Sequence, residues 1–222
     1  DYTTVQAAFD AVTPSYTGRW IIFVKTGTYY EKTWLLSTKI NVVLVGEDRD
    51  NTILTYDDYA GKNTTTVFAG GTIVSNGTNT SFSCAIDAPD FEAQNITFRN
   101  TANAYAPGST ATQAVALRTN GDRQEYYNCK MLGFQDTYYT QGGIAGPDRL
   151  YHKNCYIEGA VDFIFGRDVA LFDSCTIFCN RTGGVLTAAA TEVGYTYGYV
   201  FKACTLASTP AGVKGCDSVA MV

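Results

Sequence analysis

Basic residues are in short supply in this 222-residue chain: Lys plus Arg number 16 against 21 for Asp plus Glu, a formal net charge of −5. No basic stripe is present, so a nucleic-acid partner is not expected. No run of eighteen apolar residues occurs, so a membrane-spanning helix is not expected. The one histidine, His152, lies in a strand-like repeat opposite no evident serine and reads as structural or surface-lying. A G-x-S-x-G elbow, a P-loop and a dinucleotide fingerprint are all missing, which leaves serine-hydrolase, phosphate-transfer and hydride-transfer schemes without support. A secretory leader is missing as well. The chain opens at "DYTTVQAAFDAV", which suggests a mature or trimmed product.

What is there fits one folded domain over 1–222 with a substantial core. Tyrosine is abundant, and its apolar ring with a polar tip suits strands and sugar-facing grooves. Seven cysteines and five N-x-S/T sequons, at Asn63, Asn76, Asn79, Asn95 and Asn180, suit a secreted, extracellular protein.

Helix signals are scarce. The clearest is Thr4 to Val12, where Val5, Ala8, Phe9 and Val12 keep helical spacing behind Thr3 or Thr4 as N-cap, giving a short N-terminal helix within 1–12. Short apolar strands follow: "WIIFVK" at 20–25, "INVVLVG" at 40–46, "NITFRN" at 95–100, "QAVALR" at 113–118, then "RLYHKNCYI", "VALFDSCTI" and "YGYVFKACTL". One unit recurs in the last of these: an aromatic–apolar strand, a small residue, Cys, a polar residue, then Ile or Leu. It places Cys129, Cys155, Cys175 and Cys204 at intervals of 26, 20 and 29 residues, with Ile96 in the equivalent place earlier. Such repetition predicts an all-β solenoid, a parallel β-helix in which like residues of successive coils stack about 4.8 Å apart. The cysteines then pack as small buried hydrophobes, or pair as Cys129–Cys155 and Cys175–Cys204. Zinc is not favoured, because Cys175 and Cys179 lack a second half-site.

The lines "NCKMLGFQDTYY" and "NCYIEGAVDFIF" carry the chemistry. Asp136 follows Cys129 by seven residues, and Asp162 follows Cys155 by seven. If the cysteines stack, so do the aspartates, and two carboxylates that close do not both ionise cheaply. One would stay protonated and one charged, an acid beside a nucleophile or base. The spacing does not say which is which, and turn aspartates or a calcium site would share it. Gln135 precedes Asp136, and Gln113 opens a strand one coil earlier. Two amide donors beside a carboxylate form an oxyanion hole, which acyl transfer needs and a glycosidase does not. Tyr139 and Phe165, three residues past each aspartate, would form a platform for a sugar ring.

These motifs resemble the pectin methylesterase (pectinesterase) family over nearly the whole chain. "GTYYEK" at 27–32 resembles its G-x-Y-x-E element; "QAVALR", "GFQDTYY" at 133–139 and "GAVDFIFG" at 159–166 resemble its three central signatures. The resemblance implies a right-handed parallel β-helix that removes methyl esters from galacturonate units of pectin. It implies Asp162 as nucleophile, Asp136 as acid and then base, and Gln113 with Gln135 as oxyanion donors. It also puts Val161, Tyr139 and Phe165 along the sugar-binding cleft. It implies no metal or organic cofactor, a monomer in the cell wall, and a proteinaceous inhibitor as partner.

The chain departs from the family in three places. The L-G-R-P-W motif, whose Arg holds the nucleophile, has no counterpart before the end at "GVKGCDSVAMV". The T-A-Q-G-R element is reduced to "TAAAT" at 187–191. The strand that precedes the opening helix is absent. The expectation is an incomplete family member lacking C-terminal coils. Its alternative is a catalytically inactive, pectin-binding β-helix, and a polyuronate lyase or glycosidase on the same scaffold is the third reading.

Overall fold

The computed structural model describes residues 1–143 and 146–209. The helix forms at Val5–Ala11, and Thr4 is its N-cap, accepting at Oγ1 from the Ala7 amide at 3.2 Å. Glu31 completes the cap from outside. Its two oxygens take the amides of Val5 and Gln6 at 2.8 and 3.0 Å, putting a negative charge on the positive helix end. The glutamate of "GTYYEK" therefore holds the helix onto the first coil.

Among the described residues, three parallel sheets run the length of the stack, two of seven strands and one of six, with an antiparallel hairpin, Thr66–Phe68 with Gly71–Ile73, set aside from them. No strand of the parallel sheets pairs with its sequence neighbour. Each pairs with the strand one coil away, which makes a parallel β-helix wound in the right-handed sense of parallel crossovers. Residue types repeat because register repeats. On the first sheet Ile22, Leu44, Ala93, Tyr126, His152, Phe172 and Phe201 form one inward column. On the second, Leu54, Phe98, Met131, Ile157 and Ile177 form another. Burying each large apolar side chain contributes about 1.5–3 kcal/mol, so the columns are the main source of cohesion.

His152 is fully buried in its column. It stacks on Tyr126 and Phe172 with centroids 5.1 and 4.5 Å away, and its Nε2 lies 2.8 Å from the Tyr138 hydroxyl. Burial drives its pKa down to about 3, so it stays a neutral core ring.

Two details differ from the expectation. "RLYHKNCYI" is two strands, Arg149–Lys153 and Tyr156–Gly159; "VALFDSCTI" and "YGYVFKACTL" divide likewise. The bend falls on the residue before Ile96 and before each of Cys129, Cys155, Cys175 and Cys204. Asn95, Asn128, Asn154, Ser174 and Ala203 all have φ between 51 and 57°. A single left-handed residue turns the chain, and the inward positions shift by one residue across it, from Leu150 and His152 to Cys155 and Ile157. "QAVALR" differs too: its strand begins only at Leu117, and the residues before it form a corner bonded to the next coil.

The expected cysteine ladder is present, but Cys129, Cys155, Cys175 and Cys204 are free thiols. In-register stacking points their Cβ vectors in parallel, not at one another, which does not suit a bridge. The thiols of Cys155, Cys175 and Cys204 donate instead to carbonyls of the preceding coil, on Tyr126, His152 and Phe172. Cys179 is disulfide-bonded.

Candidate active site

The corner between the second and third sheets carries the aspartates. The repeat of 26 residues is one turn of the coil. Gln135 bridges Val161 in parallel, Asp136 donates its amide to the Val161 carbonyl at 3.0 Å, and Tyr138 donates to Phe163 at 2.9 Å. Asp136 therefore stacks on Asp162. Both adopt left-handed backbone, at φ 64 and 50°, which Asp tolerates better than most residues.

The repeated glycine has a steric cause. A Cβ on Gly159 would lie 2.2 Å from Phe163 Cβ and 2.7 Å from Thr137 Oγ1. Thr137 needs that space, because its hydroxyl donates to the Glu158 carbonyl at 3.0 Å and ties the two corners together.

The environments of the two carboxyls differ. Asp136 is 7% exposed, and Asp162 is half-buried. Burial first, and then the charge of Asp162, raise the Asp136 pKa to about 7. Asp136 thus holds a proton near neutral pH at the floor of the corner, with the more open carboxyl one coil on. Gln113 and Gln135 lie half-buried at the same corner. Their backbones are committed: the Gln113 carbonyl accepts from Ala60 at 2.8 Å and the Gln135 carbonyl from Ala114 at 3.1 Å. Their side-chain amides have no hydrogen-bond partner among the described residues, and their donors are open to a ligand.

Tyr139 and Phe165 pair across adjacent strands of the third sheet. Their rings stack at 4.4 Å, 1° from parallel, which makes a two-ring platform facing out beside the aspartates. Ala188 of "TAAAT" continues their column. Val161 is half-buried beside Asp162. The structure thus gathers all seven residues singled out from sequence at one corner and the sheet beside it. The chain end at "GVKGCDSVAMV" lies outside the described residues.

Sequence spacing does not assign a role to the other residues at this surface. Arg118 donates from Nη2 to both Asp87 carboxylate oxygens at 2.7 and 2.9 Å and lies over the Trp34 and Phe82 rings. It walls the same sheet one strand above Tyr139. Tyr105 and Arg181, from two longer loops, meet at 4.3 Å.

The Pectinesterase family model matches residues 1–218. "Pectinesterase 31" of Arabidopsis thaliana is 35% identical over 206 residues, 93% of this chain and 61% of that protein. "Putative pectinesterase/pectinesterase inhibitor 45" of the same plant is 35% identical over 212 residues, 93% of this chain and 31% of that protein. Among solved structures, pectin methylesterase from carrot superposes with a TM-score of 0.81 at 30% identity, covering 94% of this chain and 60% of that one. A pectin methylesterase mutant in complex with a hexasaccharide gives 0.80 at 29% identity, covering 96% and 65%. The chain spans about 61% or less of the length of these two plant relatives.

Proposed function

The chain belongs to the pectinesterase family, and from that premise we propose that it hydrolyses the methyl esters of galacturonate units in pectin and releases methanol. The observation that carries this reading is the unequal aspartate pair: a buried Asp136 with its pKa raised to about 7, stacked on a more open Asp162, beside two uncommitted amides.

A carboxylate oxygen of Asp162 attacks the ester carbonyl carbon, and the carbonyl oxygen becomes an oxyanion. Amide N–H groups of Gln113 and Gln135 hold that charge. As the tetrahedral centre collapses, the C–O bond to the methoxy group breaks. The departing oxygen takes the proton of Asp136 and leaves as methanol. Asp136, now a carboxylate, takes a proton from water, and the resulting hydroxide adds to the acyl–Asp162 carbonyl. Collapse breaks the bond to Asp162, restores both side chains and frees the galacturonic acid unit, whose proton passes to solvent. The Tyr139–Phe165 platform and Val161 support the sugar rings during these steps. The steps need no cofactor.

Under the same reading the protein works outside the cell, in the cell wall, as a monomer with a proteinaceous inhibitor as a partner. The disulfide at Cys179 supports an oxidising compartment. The sequons Asn63 and Asn79 are exposed, whereas the Asn76 amide is buried and bonded to Lys62 and Thr64.

The test is methanol release from highly methylated pectin by the chain and by Asp162→Asn. Asparagine is chosen because it accepts the left-handed backbone at φ 50°. The expected loss is at least about 10³-fold, with the melting temperature retained. Full turnover by the variant would remove Asp162 as nucleophile. Pectin binding without turnover by the folded parent would favour the inactive binding module.

A further inference from the structure

The two aspartate corners begin alike. Gly133 and Gly159 each lie three residues before their aspartate, and both are buried. Both of their carbonyls accept from Asn180, in the coil that follows. The Asn180 backbone amide donates to Gly159 at 2.8 Å, and its side-chain Nδ2 reaches past that coil to the Gly133 carbonyl at 3.0 Å. The same Nδ2 donates to Glu158 Oε1 at 3.1 Å, and the Tyr156 hydroxyl donates to the other oxygen of that carboxylate at 2.8 Å. Ladder hydrogen bonds join adjacent coils. Gly133 and Asn180 are 47 positions apart, which is two coil steps, roughly 9–10 Å at the usual strand spacing. One side chain therefore ties the roots of both aspartate corners to a third coil.

The carbonyl that Nδ2 takes is one the corner sets free. Tyr156 donates its amide to Cys129 at 2.9 Å, and a parallel ladder repeats every second residue, which would bring the Ala160 amide to Gly133. That amide goes to Phe134 instead, at 2.7 Å. The buried Gly133 carbonyl is left off the ladder, and a buried carbonyl needs a donor. Asn180 supplies it. In the two preceding coils the matching positions are Ala160 and Phe134, so the repeat itself does not call for an asparagine. Its own Oδ1 is buried with no hydrogen-bond partner among the described residues. An unanswered buried oxygen is destabilising, so stability alone does not account for an amide here.

We propose that Asn180 is a positioning residue for the ester hydrolysis: its amide clamps the Asp136 and Asp162 corners at their working separation. This rests on the esterase reading above and deepens it. The separation matters because Asp162 is the charge that acts on Asp136. A pair that splays apart loses the aligned attack and the proton held on Asp136 together. The Tyr105 phenol, which feels both carboxyls, and Arg181 against its ring also face the pair, and Glu158 lies at its root. Asn180 opens the sequon completed by Thr182. With both hydrogens of Nδ2 donated within the clamp, this sequon carries no glycan in the folded protein.

The experiment measures kcat and KM for methanol release across pH for the parent, Asn180→Ala and Thr182→Ala. The last removes the sequon and keeps the clamp, and should match the parent. In Asn180→Ala the expected kcat is lower by roughly ten- to hundredfold, the cost of misplacing reacting groups by up to about 1 Å. KM should hold, and the alkaline limb should move to lower pH as Asp136 leaves the field of Asp162. An unchanged kcat per folded molecule, a loss confined to KM, a fall with the limb unmoved, or an equal loss in Thr182→Ala overturns the proposal. NMR titration of the aspartate carboxyl carbons, with the Asp136 signal assigned by its loss in Asp136→Asn, reads the same spacing without turnover. A parent that releases no methanol would sink the esterase reading, and this arm would still decide: a lower Asp136 pKa in Asn180→Ala supports the clamp, and an equal or higher one overturns it. Should Asn180→Ala not fold, by circular dichroism, Asn180→Ser takes its place. Its shorter side chain leaves the Gly133 carbonyl out of reach, and the same shifts are expected.

Discussion

The corner at Asn128, Asn154, Ser174 and Ala203 and the corner at Asp136 and Asp162 turn the chain by the same device, a residue in left-handed backbone stacked coil upon coil. At the first corner the polar groups are closed off. Asn128 donates to Asn95 at 2.8 Å and accepts from Arg49 at 2.9 Å, and the thiols behind it donate to carbonyls. The position accepts Asn, Ser or Ala. At the second corner the left-handed residue is Asp in two adjacent coils only, and its surroundings leave a carboxyl charge and two amides unanswered. The backbone geometry is common to both. What separates a scaffold corner from a reactive one is the polar capacity left unsatisfied.

The largest effect is expected where that capacity is removed. Asp136→Asn should lower methanol release about 10²–10⁴-fold, the range for a positioned acid–base group. It should also make the protein more stable at high pH. The folded carboxyl keeps its proton up to about 7, whereas the unfolded one loses it near 3.8. Between those values the folded state binds more protons, so stability is greatest below about pH 4 and falls as pH rises through 7. Asparagine has no charge to bury, so denaturant titrations at pH 8 should show a gain of roughly 1–3 kcal/mol that shrinks toward pH 4. Unchanged stability at both pH values would mean that the carboxyl is not desolvated, and the contrast between the corners would fail. Activity that depends on protonated Asp136 should decline above about pH 7.

Gly159→Ala tests the packing beneath the reactive corner. Its new methyl would have to displace Phe163 or Thr137, at a cost of about 1–3 kcal/mol. Because Thr137 ties the aspartate coils together, kcat should fall along with the unfolding midpoint. A stability loss with full turnover would separate the glycine from the chemistry. Asn128→Ala asks the same of the scaffold corner. Two side-chain hydrogen bonds are lost and Ala is left in left-handed backbone, a cost of about 1–2 kcal/mol with no change in turnover per folded molecule.

Much of this was readable from the chain. Parallel in-register stacking repeats a residue type wherever it repeats an environment, so Asn, Cys, Gly and Asp in two lines 26 residues apart reported the coil. The same logic brought Tyr139 and Phe165 into one stack. What stayed hidden depends on direction and not on spacing. The cysteines are in bridging range by coil spacing, but their parallel Cβ vectors make them a thiol ladder. The strand runs concealed their bends because apolar residues continue on both sides of the single left-handed residue. Tyr105 and Arg181 lie 76 positions apart in irregular loops, where no period links them. The ion pair of Lys32 with Asp58, both under 2% exposed, was equally silent, since the loop excursion that buries it has no counterpart in the other coils.

The smallest expected effect bears most directly on the comparison. Ala203 occupies the scaffold corner at φ 52° on an exposed position, with no side-chain group to offset the left-handed backbone. An L-residue in that region costs roughly 1–2 kcal/mol, and Asn recovers part of it by local hydrogen bonding. Ala203→Asn, which copies Asn128 and Asn154 into the last described coil, should therefore stabilise by about 0.5 kcal/mol, a rise of roughly 1–2 °C in Tm. Methanol release should not move, because the change is made at the other corner of the coil. A stabilised protein of equal activity would show that the left-handed turn can be improved wherever no charge must be left exposed. A loss of activity would mean that the two corners are coupled through the coil, and that a scaffold corner cannot be retuned without reaching the aspartates.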